Sequence, residues 1–218
     1  MKSTYLNDVR VDTSKGKAWH KLSGTASTSA ETGFRPIVEG RHMILDNGQD
    51  TPEVPAIPAD GIALSPNGAT LYSAALSGRT LYSVLIAGLR DREISDEALE
   101  KQVSTIGEKD ASNGLLMDAA GRLYATDYEH NAIHVLDLTA NGHGWSTLAR
   151  DPRPLWPDTL LIGPNGDIHI TANQLHRQPQ YRAGQDARDK PYVPYRISAD
   201  GKPIPADHGA KPSDDAQG

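Results

Sequence analysis

The stretch ADGIALSPNGATLY, from Ala59 to Tyr72, is typical of two short β-strands joined by a tight turn. Ile62 and Leu64 alternate with other residues, so we expect them to face a core. Gly68 follows Pro and Asn and supplies the positive φ that a hairpin turn needs. Nothing in the stretch resembles a catalytic signature, but the same pattern returns elsewhere in the chain.

The pattern occurs four times, and each unit begins with an asparagine or an aspartate. The starts are 53, 53 and 45 residues apart, at Asn7, Asp60, Asn113 and Asp158. Apolar residues stand two and four positions later, and a turn glycine follows, at Gly16, Gly68, Gly121 and Gly166. A third strand is recognisable in RTLYSVLI, NAIHVLDL and YVPYRIS. Three or four short strands in units of about 40–50 residues predict β-propeller blades, with a β-sandwich as the alternative.

One helix interrupts the strands. SDEALEKQV predicts a short helix near residues 96–103, with Ser95 as its N-cap and Asp96 and Glu97 in the first turn, where acidic side chains suit the helix dipole. We therefore predict an all-β, partial propeller domain over residues 1–204. Residues 205–218 are polar and rich in Pro and Gly, which predicts a disordered tail.

Composition excludes several classes of partner. The 218 residues carry a net charge of −6 and no long Lys/Arg cluster, so we predict no nucleic-acid partner. The chain has no cysteine, which excludes disulfides and thiolate chemistry. No apolar run approaches the roughly 18 residues that span a membrane, and the N-terminal segment has no apolar core of a signal peptide.

In a propeller, the asparagine or aspartate that begins each unit would lie close to those of the other units. The innermost strand of each blade runs along the central channel, so the residue at its start lies at one mouth of the channel. Two carboxylates and two amide oxygens would meet there, and such oxygens bind Ca²⁺ or another divalent cation. The predicted metal ligands are Asn7, Asp60, Asn113 and Asp158. Alternatively, each side chain only satisfies backbone groups beside a turn.

Two further segments, TDYEHNAI and TANQLHRQP, place polar side chains near the same mouth, and a tryptophan precedes the fourth leading residue. This mixture of carboxylates, imidazoles, amides and a flat apolar wall is expected of a small-molecule pocket. The acid–base candidates are Glu129, His130 and His176, although a loop histidine is more often a structural hydrogen-bonding group. The predicted substrate contacts are Asp127, Asn131, Trp156, Asn173 and Gln174.

These segments resemble the major royal jelly protein/yellow family, in its bacterial branch, over nearly the whole chain up to about Ser198. EHNAI and NQLHRQP are its most specific motifs. The resemblance implies a six-bladed propeller, usually secreted, and hence an extracellular or periplasmic location. Insect members are linked to pigmentation, dopachrome conversion or ligand binding. A more distant similarity to gluconolactonase/senescence marker protein propellers implies a divalent metal at the channel mouth, at the four leading positions.

The chain departs from the family in its number of units. Four units occur where this type of propeller needs six, so we predict a truncated propeller whose open edge permits self-association. Three functions stay open: metal-assisted lactone hydrolysis or dopachrome-type isomerisation of a small cyclic substrate, small-molecule binding without turnover, and an inactive remnant of a longer gene. The fold alone does not choose among them.

Overall fold

The computed structural model describes residues 9–12, 17–46, 53–139 and 144–204. Its helices are α1 (Ile86–Arg90), α2 (Asp96–Glu100) and two 3-10 helices, Leu175–Arg177 and Pro179–Tyr181. Its strands are β1 (Val9–Asp12), β2 (Lys17–His20), β3 (Ile37–Val38), β4 (Arg41–His42), β5 (Ala59–Leu64), β6 (Thr70–Ala75), β7 (Thr80–Leu85), β8 (Ser104–Glu108), β9 (Leu115–Met117), β10 (Arg122–Asp127), β11 (Ala132–Asp137), β12 (Trp145–Arg150), β13 (Pro157–Ile162), β14 (Ile168–Ala172) and β15 (Tyr195–Ile197).

The strands form antiparallel sheets in chain order, as propeller blades do. β5–β8 and β9–β12 each make a four-stranded sheet, and β13–β15 make a three-stranded one. β1–β2 and β3–β4 are separate hairpins. The hairpins predicted for the four units are confirmed, as are the third strands β7, β11 and β15. The fourth strands β8 and β12 were not assigned from the sequence. The fold is an incomplete β-propeller, as predicted.

The first strands of the three larger sheets lie side by side. A Cβ added to Gly61 on β5 would lie 3.0 Å from the Asn113 carbonyl oxygen and 3.1 Å from Leu115 of β9. Gly114, just before β9, approaches the Asp158 carbonyl oxygen of β13 even more closely. The starts of these strands therefore converge, which is the geometry that a channel mouth requires.

The core lies between facing sheets. Apolar side chains of β5–β7 pack against those of the next sheet, in a buried cluster formed by Ala63, Ala74, Leu81, Leu115, Met117, Leu123, Ala125 and Leu136. A second buried cluster lies between the β9–β12 sheet and the β13–β15 sheet. It is formed by Tyr124, Ile133, Leu160, Ile162, Ile168 and Ile170. The predicted core residues of the third and fourth units are thus confirmed.

The structure corrects the prediction of which face of the second unit is buried. Ile62 and Leu64 are 54% and 48% exposed, because β5 turns its small residues Gly61 and Ala63 toward β9. A register shift at Ala59/Gly61 accompanies this orientation. Ile62 and Leu64 therefore lie on the solvent-exposed face of β5. Self-association through the open edge of the propeller stays a prediction.

The predicted helix near residues 96–103 is confirmed as α2, which ends at Glu100, earlier than predicted. The Ser95 side chain accepts a hydrogen bond from the Ala98 amide, as an N-cap does, and Leu99 is fully buried. The sequence did not predict α1, because its first residue, Ile86, continues the apolar pattern of β7. Asn7 and the tail 205–218 lie outside the described residues.

Candidate functional site

Asp60, Asn113 and Asp158 meet at the starts of the three neighbouring strands. Asn113 Nδ2 donates to Asp60 Oδ2 at 2.6 Å. All three residues keep solvent exposure, Asp60 the most. The structure therefore brings together the three predicted metal ligands that it describes, in a polar group that we call the mouth cluster.

Trp156 fixes the orientation of the Asn113 amide. Its Nε1, which can only donate, bonds to Asn113 Oδ1 at 2.7 Å. The amide oxygen must therefore face the indole, and the amide nitrogen must face Asp60. The Thr126 hydroxyl accepts from the backbone amides of Asn113 and Gly114, at 3.0 and 2.9 Å. Buried Thr126 thus holds the turn into β9, a contribution that the sequence pattern did not reveal.

Asn173 supports the third member of the mouth cluster. Its Nδ2 donates to Asp158 Oδ2 at 2.9 Å, and its Oδ1 accepts from the Leu175 amide at 2.8 Å. The residue lies directly after β14, whose register with β13 brings it back to the start of that strand. Its predicted contact with substrate stays a prediction, but its hold on Asp158 is established.

The two carboxylates of the mouth cluster lack a compensating charge. Although Asp60 as a whole keeps solvent exposure, its carboxylate is partly shielded by the protein, and this shielding, followed by the charge of Asp158, raises the pKa of Asp60 to about 6. Burial also raises the pKa of Asp158, although the Asn173 hydrogen bond opposes this change. Neither carboxylate forms an ion pair with a Lys, Arg or His side chain within the described part of the chain. Two neighbouring carboxylates fit a hard divalent cation, whereas the amide oxygen of Asn113, a predicted ligand, faces Trp156.

Trp156 was predicted to form a flat wall of the pocket, and the structure corrects this interpretation. The side chain is fully buried, stacked on Tyr128 with ring centroids 4.0 Å apart and on His176 at 5.7 Å. Its φ of 61° is unusual for a bulky residue. Trp156 therefore acts from behind Asn113 and presents no surface to a ligand.

His176 and Gln174 also prove to be internal. His176 is 3% exposed, its Nε2 lies 3.0 Å from Glu39 Oε2, and burial lowers its pKa to about 4. The imidazole is therefore neutral at pH 7 and cannot serve as a general acid there. The Gln174 side chain holds both the amide and the carbonyl of Asp189, which contradicts a substrate contact.

The other predicted site residues lie on the β10–β11 hairpin, which is farther from the channel than β9, the first strand of that sheet. They are Asp127, Glu129, His130 and Asn131. Both carboxylate oxygens of Glu129 are engaged, one by Arg79 at 2.6 Å and one by the Ile37 amide at 2.8 Å, so it is not a free acid or base. Asn131 Oδ1 accepts weakly from the Trp156 amide, at 3.4 Å. Asp127 is fully buried and binds His130, 2.6 Å away, rather than facing a pocket.

Acidification provides a test of the electrostatics of Asp60. Its folded-state pKa of about 6 exceeds the ordinary value of 3.8, so the folded state binds the proton more tightly. This contribution to stability is complete below the ordinary pKa and is lost as the pH rises through about 6. Asp60→Asn is expected to raise the thermal unfolding midpoint at about pH 8 in chelator, and to change it little near pH 3.5.

Asp186→Asn is the matched control for this measurement. The pKa of Asp186 is lowered, first by its hydrogen bond from Arg188, so its effect on stability has the opposite sign. A lower unfolding midpoint for Asp60→Asn than for the unmodified protein at about pH 8 would contradict the assignment of an uncompensated carboxylate.

The sheets and the mouth cluster define the class of protein: an incomplete β-propeller with an acidic group where its innermost strands begin. The family model for major royal jelly proteins matches residues 10–200, and the chain belongs to that family. The resemblance predicted from the sequence motifs is thereby confirmed. No curated protein matches the chain.

Several solved structures are similar to the chain. A gluconolactonase from Xanthomonas campestris is 21% identical, with 66% of this chain and 45% of that one covered and a TM-score of 0.46. The calcium-binding protein regucalcin from Agrobacterium tumefaciens is 17% identical, with 70% and 52% covered and a TM-score of 0.44. A luciferin-regenerating enzyme is 16% identical, with 70% and 48% covered and a TM-score of 0.47. The chain thus spans about half the length of these three structures.

None of the helices in the described residues is long and apolar enough to cross a membrane. The extracellular or periplasmic location implied by the family resemblance stays a prediction.

Proposed function

We propose that the protein hydrolyses a small cyclic ester, a lactone, at the mouth cluster with the help of a divalent cation such as Ca²⁺. The observation that carries this proposal is the pair of uncompensated carboxylates, Asp60 and Asp158, beside the fixed amide of Asn113. Asp60 and Asp158 would hold the cation through their carboxylate oxygens, whereas Asn113, whose amide oxygen faces the indole, would position Asp60 through its nitrogen. When bound, the cation polarises an ester carbonyl and stabilises the negative charge that develops on its oxygen.

The surrounding residues keep the mouth cluster in place. Asn173 orients Asp158, and Trp156 orients Asn113, so neither side chain has to reorganise when charge develops on the substrate. Such preorganised polar groups lower the free energy of the transition state. Because the cluster keeps solvent exposure, a small substrate can reach it from the open side.

Asp60 is the candidate general base. In the absence of a cation the pKa of Asp60 is about 6, and a bound cation would lower it, so the carboxylate is ionised at neutral pH and would accept a proton from an attacking water through the oxygen that does not contact the cation. Asp60 Oδ2 accepts the Asn113 amide, so Oδ1 would take the proton of the attacking water and return it to the ring oxygen as the ester C–O bond breaks. Asp60 thereby replaces Glu129 and His176, whose contacts withdraw them from proton transfer.

Hydrolysis of glucono-δ-lactone, measured with Ca²⁺ and with chelator, tests this proposal. We expect turnover only with Ca²⁺, and a loss of about 100-fold in kcat/KM for Asp158→Asn, because the substitution removes a charged cation ligand. Asp186→Asn, a change on an exposed local ion pair, is expected to leave kcat/KM unchanged.

Three results would contradict the proposal. Turnover that survives Asp158→Asn would place the chemistry elsewhere. Stabilisation by Ca²⁺ without turnover of lactones would favour a protein that binds small molecules without converting them. Turnover of dopachrome in place of lactones would favour the isomerase function.

A further inference from the structure

A second polar group lies outward from the mouth cluster, where the β8–β9 connection meets the β10–β11 hairpin. Its members are Asp110, Asp127, His130 and His134, which we call the hairpin cluster. Asp110, Asp127 and His130 each offer one ligand atom, and these atoms lie within 4.8 Å of one another. His134 Nε2 lies 3.2 Å from Asp127 Oδ2 and 3.3 Å from Asp110 Oδ2.

Asp127 is the centre of the hairpin cluster. Its Oδ1 accepts the backbone amides of Glu129 and His130, at 3.0 and 3.1 Å. These bonds turn Oδ2 toward two imidazoles, His130 Nδ1 at 2.6 Å and His134 Nε2 at 3.2 Å. The carboxylate itself has no exposed surface. Asp127 Oδ2 and the two imidazole nitrogens thus form a mixed set of oxygen and nitrogen ligand atoms.

The second nitrogen of His134 is also held in place. Thr147 Oγ1, on the neighbouring strand β12, lies 3.2 Å from His134 Nδ1. Histidines that bind metals almost always hydrogen-bond through their other ring nitrogen, which fixes the tautomer and the orientation of the ring. In the tautomer that carries the proton on Nδ1, His134 donates to Thr147 Oγ1, and Nε2 is then available as the ligand atom.

The hairpin cluster is open to solvent on one side. His130 is half-exposed and Asp110 is 44% exposed at the side chain, whereas His134 is 13% exposed. Asp110 and His130 line a cleft of about 740 Å³, together with Arg79, Lys109, Glu129 and Trp145. An ion can therefore reach the cluster from the cleft.

We propose that the hairpin cluster binds a divalent transition metal of the Zn²⁺ type, through Asp110, Asp127, His130 and His134. Imidazole and carboxylate ligands suit Zn²⁺, in contrast to the oxygen-only mouth cluster, which suits Ca²⁺. The two sites are separate, because successive residues of β10 point to opposite faces of their sheet. Thr126 holds the start of β9, whereas Asp127 faces His130 and His134.

Zinc binding to the full chain, measured by competition with a chromophoric chelator, tests this inference. We expect one tight zinc site. His130→Ala, at a half-exposed position, should weaken zinc binding by about 100-fold or more. Thr147→Val should weaken it by about tenfold, since residues that hydrogen-bond to a metal ligand typically contribute 10–100-fold to the affinity. His42→Ala, at another exposed histidine, should leave the affinity unchanged.

Two further measurements separate this site from the proposed function. Asp60→Asn should leave zinc affinity unchanged, and excess Ca²⁺ should not displace the zinc. Far-UV circular dichroism of His130→Ala checks that the variant folds. Zinc bound equally tightly by a folded His130→Ala variant, or no tight zinc site in the unmodified protein, would overturn the inference; in both cases the lactonase proposal would stand unaffected.

Discussion

Gly114→Ala is expected to destabilise the protein by about 3 kcal/mol or more and to abolish the Ca²⁺ binding that we propose at the mouth cluster. A Cβ at this position would approach the Asp158 carbonyl oxygen far more closely than the 3.0 Å that real Cβ atoms respect. The clashing atom belongs to the backbone of β13, so no side-chain rotation relieves the contact. Either β9 and β13 separate or the chain bends, and both changes displace Asn113 from Asp158.

Gly144→Ala is the matched control for this prediction. Among the described residues, no atom lies within 4 Å of a Cβ at Gly144, and its φ is not in the left-handed region. Urea unfolding of both variants gives the change in the free energy of unfolding, and calorimetry gives the Ca²⁺ affinity. Equal stability of the Gly114→Ala variant and the unmodified protein would show that the innermost strands are not packed as described.

The repeat predicted the fold because its signal is local. An asparagine or aspartate, two spaced apolar residues and a turn glycine are enough to place each hairpin, and the period then places the hairpins radially. The same logic predicted that Asp60, Asn113 and Asp158 converge. The repeat pattern could not predict which face of β5 is buried. Gly61 and Ala63 are buried because their small size permits close approach to β9, and the pattern reads only apolar bulk.

The partners of the site residues lay beyond the reach of the sequence. Glu129 is paired with Arg79, 50 positions away, and the pair leaves no local trace in the sequence. His176 lies beside Glu39, 137 positions away, in a setting that lowers its pKa to about 4. A motif shows which polar residues are near one another in the chain, but only the packing of distant segments decides whether they face a ligand or each other.

Trp156 contacts the mouth cluster from inside the protein, through its hydrogen bond to Asn113. Trp156→Ala is expected to lower the free energy of unfolding by about 3–5 kcal/mol, the range for deleting a fully buried large aromatic side chain. The substitution removes the stacking against Tyr128 and leaves a cavity beside His176. It also leaves Asn113 Oδ1 without its donor, so the amide is no longer held in one orientation.

Trp156→Phe separates packing from hydrogen bonding. Phe retains an aromatic ring against Tyr128 but cannot donate to Asn113, so the stability loss should be smaller, about 1–3 kcal/mol, while the loss of Ca²⁺ affinity should persist. Trp145→Phe, on the outer strand β12, is the control and should leave Ca²⁺ affinity unchanged. If Trp156→Phe bound Ca²⁺ as tightly as the unmodified protein, the orientation of the Asn113 amide would not matter to the cation. Asp60 and Asp158 would then hold it without help from the buried indole.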